Sequence, residues 1–263
     1  MKKPERIVIV GSGNVAEALC RAISAIGRGQ LVQLFARNPE RGQALAALAG
    51  CPWTDDPQAL AEADLYLLAV SDRAIGELSR QLPFGDGIVA HTAGSVDIGQ
   101  LSPTLRRGVF YPLQTFTAGR AVDFRAVPLF IEAESEGDYA TLTALAEELS
   151  DSVYRADSLF RQKMHVGAVF VANFVNDLYA AGEQWMRACG MDFAALKPLI
   201  AETTRKILAG GSPLEAQTGP AVRRDWPTIE KHRQLLEDAP ALKTIYDLLT
   251  EHIIEMNETH GKL

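Results

Sequence analysis

The chain has 263 residues, 47% of them hydrophobic and 22% charged, with a formal net charge of −7. That length gives one large domain or two ordinary ones with a real core. The acidic balance, with no Lys/Arg-rich block, excludes general nucleic-acid binding, so any bound anion has to be held by a local site. The opening apolar run, 7–10, stops at Gly11 and is too short for a signal peptide. The longest apolar stretch, 166–174, is interrupted by Asn173 and too short to span a bilayer. The sequence therefore predicts a cytoplasmic protein that neither enters a membrane nor binds nucleic acid.

In chain order, 6–10 reads as a strand and 14–26 as a helix ended by Gly27 and Gly29. A second strand is expected at 31–36. A helix opened by Pro39 follows at 39–48. Residues 65–70 form a continuous apolar run, as expected of a strand covered on both faces. Then come a helix at 73–82, a strand at 87–91, short strands at 109–110 and 128–132, a helix at 138–149 and a last strand at 152–154. After Asp157 the character changes to long helical patterns at 158–186, 192–209 and 239–257, with no convincing strand. The expected class is α/β: a doubly wound parallel sheet over 1–156, followed by an all-α domain over 157–263 for substrate binding and dimerisation.

The motif Gly11-Ser12-Gly13-Asn14-Val15-Ala16 lies directly after one predicted strand and before a helix. In that setting the first glycine permits a tight turn, the second lets backbone approach a pyrophosphate, and the small Ala16 lets helix and strand pack closely. Amides at the helix start then hold the phosphates. This makes 1–156 a dinucleotide-binding Rossmann domain. An acidic residue at the end of the second strand is expected where NAD is preferred. Here that place holds Arg37 and Asn38, with Arg41 one turn on, and a guanidinium there suits the 2′-phosphate of NADP. The turns Ala69-Val70-Ser71-Asp72 and Thr92-Ala93-Gly94-Ser95 follow later strands, where small residues can line the ribose and nicotinamide. Gly11, Ser12, Gly13, Asn14, Val15, Arg37, Asn38, Ala69, Val70, Ser71 and Ala93 are thus the cofactor-binding candidates.

On a regular helix at about 100° per residue, His165, Asn173 and Asn176 share one face with Val169 and Ala172, while Lys163 points away. Hydride transfer to a carbonyl or imine needs a group to protonate the acceptor; His165 or Lys163 can do so, with Asn173 orienting the substrate. Gly219-Pro220 forces a turn in 217–225 that carries Thr218, Arg223, Arg224 and Asp225, followed by His232 on the next helix. Thr218 and Arg223 are substrate candidates, the arginine for a carboxylate or phosphate. Cys20, Cys51 and Cys189 are widely spaced and odd in number, which argues against disulfides and a structural metal site. No metal is expected.

With these residues in view, the chain resembles the Rossmann-like NADP oxidoreductases that carry a helical C-terminal domain of unknown function. It is similar to pyrroline-5-carboxylate reductases, 6-phosphogluconate dehydrogenases and deazaflavin-dependent NADP reductases. The resemblance rests on Gly11 to Ala16, His91-Thr92-Ala93-Gly94-Ser95, Tyr111-Pro112-Leu113-Gln114-Thr115-Phe116, the stretch from His165 to Asn173, and Thr218-Gly219-Pro220 through Arg223 to Asp225. It implies a cleft between two domains with Tyr111-Pro112-Leu113-Gln114 at its edge, which adds Gln114 to the substrate candidates. It also implies a homodimer built on the helical half. Hydroxyacid dehydrogenases of the superfamily place a catalytic lysine four residues before an asparagine. Here Lys163 precedes Asn173 by ten, which favours His165. The expected activity is an NADP-dependent oxidoreductase acting on a small carbonyl, imine or related acceptor. The alternative is a non-catalytic NADP-binding sensor or a dimeric scaffold.

Overall fold

The computed structural model describes residues 3–27 and 30–259; Gly29, expected to help end the first helix, lies outside them. The chain forms two compact units, 1–174 and 175–263. The expected domain boundary at 156/157 follows the last strand, whereas the division into units falls one α-helix and one π-helical segment later.

The first unit is built on β1 (Ile7–Val10), α1 (Asn14–Ile26), β2 (Leu31–Phe35), α2 (Pro39–Ala49), β3 (Trp53–Thr54), β4 (Leu65–Leu68), α3 (Asp72–Gln81) and β5 (Ile88–His91). It continues with β6 (Arg106–Pro112), β7 (Leu129–Ala133), α4 (Glu136–Leu149), β8 (Val153–Arg155) and α5 (Ser158–Ala168). The strands form one sheet in the order β3-β2-β1-β4-β5-β6-β7-β8. Neighbours are parallel except at β6–β7, so β7 and β8 run against the other six.

Two-residue alternation sends Ile7 and Ile9 to one face and Val8 and Val10 to the other. The first face is covered by α1, through Ala16, Leu19, Cys20 and Ile23 at helical spacing, and by Leu142, Leu145, Ala146 and Leu149 of α4. The second is covered by Ile75 and Leu78 of α3. The chain leaves β1 toward β2 on one side and resumes at β4 on the other. This reversal opens a crevice beyond the carboxyl ends of β1, β2 and β4.

After α5 the backbone is π-helical over Val169–Phe174. This corrects the expectation of a regular helix over 158–186. The i→i+5 pattern changes the angle between successive side chains, so spacing at 3.6 residues per turn does not carry from His165 across to Asn173 and Asn176.

The second unit holds α6 (Val175–Ala188), α7 (Lys197–Leu208), α8 (Pro213–Ala216), α9 (Trp226–Leu235) and α10 (Pro240–Thr259), with no strand among its described residues. Within it, Leu178, Trp185, Leu235, Ile245, Tyr246 and Leu249 bound an apolar groove of about 390 Å3. Of its described apolar residues only Ala221 and Ile229 are buried.

Candidate functional site

The crevice at the strand reversal has a volume of about 580 Å3. Its floor is the turn from β1 into α1: Gly11, Ser12, Gly13, Asn14 and Val15. The turn is shaped by backbone contacts that require glycine. Gly11 has a φ of +127°, and its amide donates to the Phe35 carbonyl at 2.8 Å. A Cβ added there would stand 2.1 Å from the Ala69 carbonyl oxygen. Gly13 differs. Its φ of −80° suits any residue, and a Cβ would meet nothing within 4 Å. Its missing side chain leaves open space over the start of α1. No side chain caps that helix, so its first amides lack the partners that a Ser, Thr or Asp at Gly13 would supply. A bare helix N-terminus beneath a side-chain-free position suits a diphosphate.

The walls are Arg37 and Asn38 after β2, Ala69, Val70 and Ser71 after β4, and Gln114 and Phe116 after β6. Arg37 is exposed and makes no hydrogen bond or ion pair with any described residue. Asn38 is occupied as the cap of α2, its side chain accepting from the Arg41 amide at 3.0 Å. Arg41 is held by Glu17 at 3.0 Å and so is already paired. Ala93 does not line the crevice; it is buried, and its amide donates to His91 Nδ1 at 3.2 Å. Burial, reinforced by the nearby Arg161 charge, pushes the His91 imidazole down to about 3, so it is neutral at physiological pH. With Nδ1 accepting, the proton sits on Nε2, a buried atom without a partner among the described residues.

His165 comes from α5, and the sequence fixes that helix firmly. Asp157 caps it by accepting from the Phe160 amide at 2.7 Å. The Ser158 amide donates to Glu132 of β7 at 3.0 Å, and the Ser158 hydroxyl accepts from the Ile98 amide at 3.0 Å. Arg161, fully buried, pairs with Glu132 and donates to the Val96 carbonyl. One turn on, His165 Nδ1 meets the Tyr111 hydroxyl at 3.0 Å, with the rings edge to face at 6.0 Å. Gly94 makes room for the pair: a Cβ there would lie 2.6 Å from His165 Nδ1 and 2.7 Å from Tyr111 Cζ. Burial raises the Tyr111 phenol above its ordinary range; Arg161 opposes this and Asp72 adds to it. Beside the pair, the Ser95 hydroxyl donates to Asp72, which follows the crevice residue Ser71.

The other sequence candidates are exposed. Lys163 is exposed on α5, and Asn173 is exposed in the π-helical segment. In the second unit Thr218 and Arg223 are exposed on the turn before α9, where Gly219 has a φ of +112°. Arg224, at a φ of 50°, pairs with Glu258, and Asp225 caps α9 by accepting from the Thr228 amide. Tyr111 as a partner of His165 was not foreseen from sequence; the two stand 54 residues apart, and no spacing rule links them. The described residues hold no cluster of metal-ligating side chains. No described helix is long and apolar enough to cross a membrane.

Residues 6–93 match the family described as NADP oxidoreductase coenzyme F420-dependent, and residues 127–253 match the Domain of unknown function (DUF2520). The crystal structure of a protein from Bacteroides fragilis, provisionally assigned as an NADP oxidoreductase, is 38% identical with a TM-score of 0.89, covering 95% of this chain and 98% of its own. The chain belongs to this NADP oxidoreductase family. The oxidoreductase also shares its fold with an imine reductase from Myxococcus stipitatus in complex with NADP+, at 13% identity and a TM-score of 0.66 over 98% of this chain and 95% of that one. A pyrroline-5-carboxylate reductase from Coxiella burnetii is similar at 15% identity and a TM-score of 0.55, over 95% and 98% respectively. No curated protein matches the sequence.

Proposed function

We propose that the oxidoreductase uses NADP rather than NAD and reduces a small carbonyl, imine or related acceptor. The observation that carries this reading is the crevice itself, with side-chain-free Gly13 over an uncapped helix start and an unpaired arginine on its wall. The diphosphate sits on the amides of 11–15. Arg37, with Asn38 beside it, takes the 2′-phosphate; Arg41 is not among the residues that line the crevice. Ala69, Val70 and Ser71 line the remainder, with Ala93 behind them. A bound nicotinamide supplies or accepts hydride.

The protein's own task is then the proton. Held at Nδ1 by the Tyr111 hydroxyl, His165 in its imidazolium form passes the Nε2 proton to the acceptor's oxygen or nitrogen and is left as a neutral imidazole; solvent restores the proton. Tyr111 stays protonated because its phenol is raised by burial, so its hydroxyl remains available to hold the His165 ring in place. Lys163 is the second candidate donor, and Asn173 and Gln114 orient the acceptor. Arg223, exposed and without a described partner, is free for an anionic group, with Thr218 beside it.

The protein works as a homodimer in the cytoplasm. Support comes from the uncovered apolar faces of the helical unit and from three unpaired cysteines, of which buried Cys20 has its thiol pushed up to about 12 by burial.

The test is a titration with NADPH and NADH. Wild type binds NADPH more tightly, and Arg37→Ala removes the difference, on the order of 10–100-fold for a lost charge-assisted contact. Tighter binding of NADH by wild type overturns the NADP preference. With NADPH bound, His165→Ala cuts turnover of a reducible imine or keto acid by about a hundredfold or more. An unchanged rate removes His165. Firm binding without turnover across a broad acceptor panel favours the sensor.

A further inference from the structure

Glu17 lies on α1 one turn beyond the phosphate turn, and its side chain is 6% exposed. A carboxylate so placed needs a full set of donors. It has them from three separate parts of the chain: Arg21 on its own helix at 3.0 Å, Arg41 of α2 at 3.0 Å, and the Gly119 amide at 3.0 Å. Burial by itself would raise this carboxyl, yet the hydrogen bonds from Arg21, Arg41 and Gly119 outweigh it and hold the group below the usual carboxylate range.

Two of these partners bear on the crevice. Arg41 also reaches the Ser12 carbonyl, at 3.4 Å, on the phosphate turn. Gly119 belongs to the loop that follows β6, whose Gln114 and Phe116 form a crevice wall. That loop has a second tether three residues earlier, where Asn14 Nδ2 donates to the Phe116 carbonyl at 2.9 Å. The wall is thus stitched to the phosphate turn at two points, one of them a buried charge.

We infer that Glu17 is a positioning residue for the dinucleotide: its carboxylate ties the loop 113–122 to the phosphate turn and fixes Arg41 against Ser12, so that floor and wall are assembled before the cofactor arrives. The inference rests on the cofactor reading above. It concerns the part of the site that meets the diphosphate, common to both cofactors, and so acts on affinity rather than on the choice between them. Ordering an exposed loop costs conformational entropy. Where the tether has already met that cost, binding is tighter.

The test is Glu17→Gln in the full chain, titrated with NADPH and NADH below the melting temperature of each variant. Glutamine keeps the shape and can still accept from Gly119, but it loses the negative charge and one of the two oxygens that hold Arg21 and Arg41. The dissociation constants for the two cofactors are expected to rise together by about tenfold or more, with their ratio unchanged. Amide hydrogen exchange over 117–122 is expected to quicken without cofactor and to slow when NADPH is added. A purely structural role would lower the melting temperature and leave both dissociation constants where they were; that result, or unchanged exchange over 117–122, overturns the inference. Should Glu17→Gln not fold, Arg41→Met carries the test, because its side chain is part-exposed and Glu17 retains Arg21 and Gly119. A rise of about threefold or more in both constants supports the inference, and none overturns it. Wild type that binds neither cofactor ends the cofactor reading and this inference with it; wild type that binds while Glu17→Gln binds equally ends this one alone.

Discussion

In the sheet unit every residue of β1, β4 and β5 is buried, and the helices on each face add Leu19, Ile23, Ile75, Leu142 and Leu145 to a continuous interior. In the helical unit only Ile229, Thr250 and Asn257 of the described helical residues are buried, while Leu199, Leu208, Leu235 and Leu248 stand more than half exposed. Apolar surface left in water forgoes about 25 cal/mol for each Å2. A unit in that condition draws less stability from its own packing than the sheet unit does. The comparison separates two regions: the sheet unit is a finished scaffold that holds a crevice, whereas the helical unit leaves large apolar side chains in water.

Ion pairs sharpen the contrast most. Arg161–Glu132, with side chains 1% and 15% exposed, locks α5 to the sheet; Arg224–Glu258 in the helical unit is 41% and 51% exposed. Arg161→Met strands a largely buried carboxylate and is expected to cost about 3–5 kcal/mol in urea unfolding. Arg224→Met is expected to cost no more than about 1 kcal/mol. Equal losses would break the comparison.

The exposed leucines come next. Leu248→Glu places a charge on an apolar helix face of α10. If that face is covered by a second copy, sedimentation shows wild type as two copies and the variant shifted toward one, with a loss of about 1.5–3 kcal/mol for the leucine burial forgone. A wild type that sediments as one copy, with Leu248→Glu no less stable, would mean that the helical unit needs no partner.

A smaller effect belongs to His91, at the carboxyl end of β5. Its imidazole is held down to about 3 by burial, whereas in the unfolded chain it takes a proton near its ordinary value of 6.5. Between those values the unfolded state binds the extra proton, so stability falls as the pH drops from 6.5 toward 3. The slope for this one group is at most about 1.4 kcal/mol per pH unit. Unfolding curves at pH 7, 6 and 5 are expected to be less steeply pH-dependent in His91→Gln than in wild type. Identical pH dependence would show that His91 protonates freely in the fold.

What the sequence made legible follows the same division. The helix Asn14–Ile26 and the strands of the sheet unit could be read locally, because apolar spacing and glycine punctuation act within a dozen residues. The floor of the crevice and Arg37 were legible for the same reason. Three features were not. The two-residue strand Trp53–Thr54 is too short to carry a pattern. The antiparallel β7 depends on pairing with β6, which no local signal states. The π-helical Val169–Phe174 is composed of residues equally at home in an α-helix. Side-chain partnerships were hidden most deeply: Tyr111 with His165, and Glu17 with Gly119 102 residues away, are products of the folded topology.

The central claim is that backbone at the first turn grips a diphosphate, and Gly13 isolates it. Unlike Gly11, it has an ordinary φ and open space where a side chain would go, so Gly13→Val obstructs a ligand without obstructing the fold. Calorimetric titration of NADPH into wild type and Gly13→Val is the direct measurement. Heat of binding in wild type, none in the variant, and melting temperatures within a few degrees of each other are the predicted result; a variant that binds NADPH as tightly as wild type would contradict the account.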